Sequence, residues 1–438
     1  MPHAFATTPP AHLPEDSLGY AILTSAQLIA DVVAGSNLTD SLAALWSARP
    51  QTPAGVRGAV LDLTYGTLRD YGRQDFILGS LLQKPLPEPV QSILRVALHR
   101  LDSHSDTAHT VVNQAVGAAA TCIDGKFKGV VNGVLRNALR QMDALNKAAD
   151  ADMVAEHRHP PWWIRRLKAQ YPAEWRDILR AGNTHPPMAL RINVLRSHLE
   201  DTLANFAEAG LGVRQLGNGA LLLDRPVPVS RLPGFAEGCI SVQDAGAQFA
   251  AQYLDVDDGQ RVLDACAAPG GKTAHILEIA DVELTALDAD PLRARRVTEN
   301  LERLGLNATV RHADCRDLTS WWDGRHFDRI LADVPCSASG VVRRNPDIKW
   351  LRRASDIAHF ASQQAEIVDA LWQVLAPGGK MLYATCSVFA EENREQMAGF
   401  AARHPDCRRL PVNGQLDCQY LPSSEHDGFF YALLEKIA

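Results

Sequence analysis

Apolar residues recur at every third or fourth position through much of the first third of the chain. Val90, Ile93, Leu94, Ala97, Leu98 and Leu101 share one face of a predicted helix, and Phe127, Val130, Val131, Val134, Leu135, Ala138 and Leu139 share another. Lys84-Pro85-Leu86-Pro87 and Asp124-Gly125-Lys126 punctuate the helices. Few alternating segments interrupt them, so residues 19–145 read as an all-helical domain. Residues 1–18 precede it as a flexible tail. The start of that tail is rich in Pro, His, Ala and Thr and lacks the basic and apolar regions of a secretory signal.

The pattern changes over residues 146–238. Helical stretches around residues 162–179 lead through His185-Pro186-Pro187 to a strand-like run at 189–194. A helix then follows Ser197, with Ser197 and Glu200 fitting a capping box, Leu199, Leu203 and Phe206 on one face, and Gly210 as its stop. Leu221 to Leu223 and a proline-rich stretch complete a small α+β middle module. Strands and helices alternate over residues 239–438, with strands expected at 261–265, 283–287, 309–312, 328–332, 380–384 and 429–433. One intervening helix is capped by Asp290, starts at Pro291 and ends at Gly305. Such alternation predicts an α/β, Rossmann-like domain with a mainly parallel, doubly wound sheet.

At 438 residues and 46% hydrophobic, the chain has ample material for several cores, which excludes wholesale disorder. No apolar run reaches the roughly 18 residues of a membrane span. None of the eight cysteines pairs in C-x-x-C spacing, so neither a zinc ribbon nor any other metal site is expected, and a reducing cytoplasm is the default location. The net charge of −7 is unevenly spread: residues 241–438 hold 21 basic and 29 acidic side chains, while the rest is nearly balanced. Two basic, aromatic clusters run against it, at 158–180 around Trp162, Trp163, Tyr171 and Trp175, and at 343–353 around Trp350. Cations bind phosphates and aromatic faces stack on unpaired bases. Either cluster taken singly reads as a solvated helix face with its tryptophans anchored in a core.

The strand–turn–helix at 262–273 carries Cys266-Ala267-Ala268-Pro269-Gly270-Gly271-Lys272-Thr273. Adjacent glycines let backbone N–H groups approach a ligand at a helix N-terminus. The G-x-x-x-x-G-K-[ST] phosphate loop fails because Cys266 stands at its first glycine, and a G-x-G-x-x-G fingerprint is absent. A nucleoside without phosphates suits the turn better. Asp288 ends the next strand, where a carboxylate can accept both ribose hydroxyls. Asp314 follows the third strand within reach of an adenine edge, and Asp333 closes the fourth. Three aspartates after successive strands, beside a Gly-Gly turn, point to an S-adenosylmethionine pocket.

Two cysteines share that rim: Cys336 in Asp333-Val334-Pro335-Cys336-Ser337, and Cys386 in Thr385-Cys386-Ser387. A methyltransferase needs a thiolate when its target is C5 of cytosine, which is too weak a nucleophile on its own. Sulfur addition at C6 makes C5 enamine-like, and a base then removes the C5 proton so that the sulfur can leave. Asp333, at the N3/N4 edge of the base, is placed to stabilise the adduct by donating a proton. The chemistry alone does not choose between the thiols.

From about residue 241 onward the chain resembles the Nop2/Sun (Fmu) family of RNA 5-methylcytosine methyltransferases. The likeness rests on the motifs at 266–273 and 333–337, on Asn345-Pro346-Asp347-Ile348-Lys349-Trp350, on Thr385-Cys386-Ser387 with Glu391-Glu392-Asn393, and on Asp427-Gly428-Phe429-Phe430-Tyr431. The resemblance implies that Cys386 is the nucleophile and that Cys336 assists product release. Val334 and Ala338 stand where that family more often has Ala and Gly. Residues 19–145 resemble the NusB-like RNA-binding domain through Arg69, residues 109–116 and residues 131–137. A NusB-like domain fused to this catalytic domain implies a bacterial enzyme acting on a cytidine of 16S rRNA, unpaired or flipped out. RNA, rather than DNA or a membrane, is then the partner, and residues 343–353 are expected to grip its backbone near the site. The alternatives are the same reaction on tRNA and a non-catalytic RNA-binding or antitermination factor.

Overall fold

The computed structural model describes residues 13–103 and 107–437. Of the tail expected over residues 1–18, the first twelve lie outside the described residues. Leu13 packs against the first core, and the Ser17 hydroxyl caps the helix Leu18–Val33 by accepting from the Tyr20 N–H at 3.1 Å. The chain forms two units, one of residues 1–184 with 342–353, the other of residues 185–341 with 354–438.

The first unit is helical. Its longer helices are Leu18–Val33, Leu38–Ala48, Ala54–Leu81, Glu88–Ser103, Ala108–Ala120 and Lys128–Ala151, followed by Met153–His157, Pro161–Gln170 and Trp175–Gly182. The six apolar residues expected on the face of Glu88–Ser103 are all buried. In Lys128–Ala151 the buried stripe narrows to Val131, Leu135 and Ala138 near its start, while Val130 is exposed. Trp163 and Trp175 are core residues, and Arg176 lies over the Trp175 ring. The anchored-tryptophan reading of that cluster holds.

Residues 343–353 belong to the helical unit, where Arg343 and Lys349 are buried, Arg344 and Arg352 are half-buried and Arg353 is exposed. Lys349 is fully buried, and its ammonium donates to the carbonyls of Arg69 at 2.9 Å and Arg158 at 3.0 Å and to Asn183 Oδ1 at 2.8 Å. Arg69 donates in turn to the Arg343 carbonyl at 3.0 Å, Asp347 accepts from the Leu38 N–H, and Trp350 Nε1 donates to the Leu68 carbonyl. The reason is desolvation: a buried ammonium is tolerated only where fixed acceptors replace its water. Here three backbone or amide oxygens do so.

The second unit holds two sheets. The smaller is antiparallel, in the order β2-β3-β1-β4, from β1 (Ala189–Ile192), β2 (Val213–Gln215), β3 (Leu221–Leu223) and β4 (Ile240–Val242). Its helix Leu199–Glu208 buries Phe206 and ends near Gly210 at φ +68°. The capping box does not form. The cap position falls on His198, which makes no side-chain cap, while Ser197 Oγ meets Thr202 Oγ1 at 3.0 Å.

The larger sheet contains β5 (Arg261–Asp264), β6 (Glu283–Asp288), β7 (Thr309–His312), β8 (Phe327–Asp333), β9 (Leu375–Thr385), β10 (Cys407–Leu410), β11 (Cys418–Tyr420) and β12 (Phe429–Lys436). Its order is β7-β6-β5-β8-β9-β12-β10, with β11 pairing β12. Strands β5 to β9 run parallel, and β12 is antiparallel to β9. The chain turns from one side of β5 to the other between β7 and β8. A Rossmann-like sheet binds ligands at that reversal, beyond the carboxyl ends of its strands.

Candidate active site

Parallel strands place their C-terminal ends on one edge, and the predicted site residues gather there. Asp264 ends β5, Asp288 ends β6, Asp314 lies two residues beyond β7, Asp333 ends β8, and Cys386 follows β9. The turn after β5 is shaped by Gly270, at φ +94°, where an added Cβ would lie 3.1 Å from the Val297 Cα. Only glycine combines that conformation with that approach. Helix Gly271–Ile279 then opens with its N-terminal amides on the same edge.

Asp288 is tied to the turn: one oxygen accepts from the Ala268 N–H at 3.2 Å, the other from the Asp290 N–H at 3.0 Å. Asp290 caps helix Pro291–Leu304, and Gly305 ends it at φ +67°. A carboxylate has about four lone-pair sites, so Asp288 keeps acceptors for two ribose hydroxyls. The turn and this acid together fit a nucleoside. Asp314 is paired with Arg316 at 2.7 Å, and Arg316 also reaches Glu366 at 2.7 Å. The hydrogen bond from Arg316 holds the Asp314 carboxyl below the usual range.

Lys272 does something its place in the turn did not suggest. Its ammonium turns to the Asp333 carboxylate and forms a close ion pair. Burial alone would depress the ammonium, but Asp333 and the neighbouring Cys386 outweigh it and raise its pKa. The sequence expects Asp333 to donate a proton to the adduct, and the structure pairs it with the Lys272 ammonium. It is half of a charged pair that presents an acceptor and a donor side by side.

The two thiols meet. Cys336 Sγ and Cys386 Sγ are 3.4 Å apart. Cys336 is buried and Cys386 only half-buried. The hydrogen bond between them, reinforced by burial, pushes the Cys336 thiol well up. The loop after Cys336 returns through Gly340, whose N–H donates to the Cys386 carbonyl at 2.8 Å and whose carbonyl accepts from the Gly428 N–H at 2.9 Å. A Cβ on Gly340 would fall 2.4 Å from the Gly428 carbonyl oxygen, so these two loops meet backbone to backbone. Cys266 packs beside Cys315, and their hydrogen bond and burial raise the Cys266 thiol.

Sequence reasoning missed Glu392. It sits fully buried between the two cysteine loops, in the Glu391-Glu392-Asn393 motif whose role was not assigned. A carboxylate beside small hydroxyl residues, just after a Thr-Cys-Ser strand end, was the available signal.

Comparison with known proteins places this geometry. Residues 23–140 match the model of the NusB family, residues 159–230 the ferredoxin-like domain of RsmF/B-like methyltransferases, and residues 251–435 the 16S rRNA methyltransferase RsmB/F. The chain is 43% identical over 435 residues to ribosomal RNA small subunit methyltransferase B of Pseudomonas putida, covering 95% of this chain and 98% of that one. The chain belongs to the ribosomal RNA small subunit methyltransferase B family. Another such methyltransferase B, from Vibrio cholerae, is 43% identical over 92% of this chain and 94% of its own. A solved methyltransferase homologue from Pyrococcus horikoshii is 26% identical, with a TM-score of 0.58 over 65% of this chain and 97% of its own. NSun6 from Pyrococcus horikoshii, solved with SFG, shares the fold at 21% identity and a TM-score of 0.57, over 64% of this chain and 98% of its own. As a methyltransferase B family member the protein is an rRNA methyltransferase whose cofactor is S-adenosylmethionine. Among the described residues no helix is long and apolar enough to cross a membrane.

Proposed function

We propose that the protein methylates C5 of a cytidine in 16S rRNA through a transient bond between Cys386 and C6 of the base. The observation that carries this reading is the thiol pair at 3.4 Å on the rim of the cofactor edge. Transfer to a nitrogen or an oxygen needs no sulfur, whereas C5 is activated only by nucleophilic addition at C6. Two thiols in contact suit a reaction that needs one sulfur to add and a second group to assist its departure.

Cys386 is the more accessible thiol, and Cys336, held protonated, donates its S–H toward it. The Lys272 ammonium lies nearby and is held charged by Asp333 and Cys386. The Asp333 carboxylate suits the exocyclic amine of cytosine, and Lys272 supplies a proton donor beside it as charge moves onto N3. When bound, S-adenosylmethionine supplies an electrophilic methyl on a sulfonium, held by the residue 266–271 turn and Asp288. Once Cys386 is bonded to C6, Cys336 is freed of the hydrogen bond that kept it protonated and gives its proton to solvent. Its thiolate takes the C5 proton, the electrons of that C–H bond re-form C5=C6, and the Cys386 thiolate is expelled as the product is freed.

Cys386→Ala should abolish turnover and leave cofactor binding within about twofold, while Cys336→Ala should accumulate a protein–RNA adduct because elimination stalls. RNA containing 5-fluorocytidine, digested for peptide mass spectrometry, should carry its crosslink on Cys386. A crosslink elsewhere, or full activity without that thiol, overturns the reading. Bisulfite sequencing of 16S rRNA and of tRNA, with and without the protein, reads which RNA is the substrate.

A further inference from the structure

The geometry points to Glu392 as the positioning residue that holds the two thiols at their working separation, and this inference rests on the two-thiol reading above. Each cysteine is followed by a serine, and the Glu392 carboxylate binds both. One oxygen accepts from the Ser337 N–H at 2.7 Å, and the other takes the hydroxyls of Ser337 and Ser387. Ser387 Oγ also meets Ser339 Oγ at 2.9 Å and accepts from the Phe389 N–H at 3.0 Å. The loops after β8 and after β9 are thus joined through a single buried carboxylate.

The clamp is itself held. Gln364 donates to the Pro335 carbonyl at 2.9 Å, and the Tyr383 hydroxyl donates to the backbone carbonyl of Glu392 at 2.6 Å. The adjacent Asn393 accepts from Thr385 Oγ1 at 2.6 Å and donates to the Ser387 carbonyl at 2.9 Å, fixing the backbone on both sides of Cys386. Burial raises the Glu392 carboxyl, and the serine donors work against that rise. Its charge is one of the influences that keep Cys336 protonated. A carboxylate buried this completely is costly, and a hydrophobic residue of the same volume would fill the space at less cost. What such a residue could not do is accept from donors on two separate loops at once. Glu392 is fully buried with its carboxylate taken up by the serines of the two loops, so it acts through the cysteines.

The test uses the full chain with Glu392→Gln, which keeps the shape but turns one acceptor oxygen into an NH2 group. Phenylarsine oxide reports the thiol separation directly, since trivalent arsenic is chelated only by two sulfurs within reach of each other. The Cys336→Ala variant sets the background from other thiols. Chelation above that background should fall at least tenfold in Glu392→Gln, while alkylation of Cys386 by iodoacetamide persists. Turnover should fall at least tenfold with the KM for RNA within about twofold, and adduct should accumulate as in Cys336→Ala. S-adenosylmethionine binding by calorimetry confirms that the variant is folded. If it is not, Ser337→Ala and Ser387→Ala remove the donors singly, and each should weaken chelation.

Wild-type chelation and turnover in a folded Glu392→Gln, or in both serine variants, would overturn the inference. Arsenic binding requires no RNA chemistry, so the two readings fail separately. Loss of the Cys386 crosslink sinks the proposed reaction, and unchanged chelation sinks the clamp.

Discussion

Ala338 lies between Cys336 and Gly340 with φ +59°, the left-handed region that costs an L-residue roughly 1–2 kcal/mol. The family resemblance put a glycine at this position, and the backbone shows why glycine suits it. Ala338→Gly should relieve the strain at some cost in chain entropy, for a net stabilisation of about 0.5–1 kcal/mol. Urea unfolding of the two proteins measures it, and a destabilised variant would mean that the Ala338 methyl packs better than its backbone suffers. Residue identity was otherwise highly informative here. Cys386, Cys336, Asp288 and the Gly-Gly turn were readable because their neighbours in sequence are also their structural context. The ion pair of Lys272 with Asp333 was not readable, since it spans 61 positions along the chain.

At the scale of an element, β5, its turn and helix Gly271–Ile279 carry two buried titratable groups with opposite pH behaviour. Burial, with Arg191 adding to it, lowers His275 from 6.5 to about 3. The unfolded imidazole takes up a proton near 6.5 and the folded one does not. The stability from neutral His275 is therefore complete above about pH 6.5 and is lost as pH falls toward 3. Burial raises Asp264 from 3.8 to about 7, although the Thr273 hydroxyl at 2.7 Å opposes the rise. Its contribution is present below about 3.8 and is lost as pH rises through 7. The two slopes oppose each other between about pH 4 and 6.5. His275→Gln should leave stability falling more steeply with pH, and Asp264→Asn should leave it rising more steeply. Urea midpoints across that window measure both, and parallel curves for the two variants would refute the assignment. The six strands expected in this domain all form, mostly as short apolar runs with turn residues at their ends, whereas β7 carries one apolar residue, Val310, and forms by pairing with β6. Strands β10 and β11 were not legible: Cys407–Leu410 and Cys418–Tyr420 are short and half-exposed, and they pair because β12 offers them the edge that β9 leaves free.

At the scale of the molecule, long-range polar contacts tie distant segments into each unit. In the second unit Arg191 of β1 forms a bidentate pair with Glu278, both contacts at 2.7 Å, with side chains 4% and 1% exposed. The same guanidinium donates to the Gly271 carbonyl at 2.8 Å and to Gln243. The smaller sheet thereby braces the first turn of the cofactor helix. Arg191→Ala would leave a buried carboxylate without its partner, which costs about 3–5 kcal/mol. A drop of that size in urea stability, with weaker S-adenosylmethionine binding by calorimetry, is the expected outcome, and unchanged stability would contradict it. Residues 343–353 illustrate what local reading misses at this scale. Five cations around a tryptophan suggest a phosphate surface, yet Arg343 and Lys349 are buried struts of the helical unit.

The sequence by itself determined the periodicities, and with them which segments are helices and which are strands, because both repeats are properties of the local backbone. It also determined that the turn, the aspartates and the two cysteines stand at strand ends, since chain order in a parallel sheet sends every such end to one edge. Tertiary structure alone decided what those side chains do to one another. The thiol contact, the Lys272–Asp333 pair, the Glu392 clamp and the burial of Lys349 each join residues far apart along the chain. Such pairings follow from packing and from the need of every desolvated charge for a partner, and no local pattern of residues encodes which partner that will be.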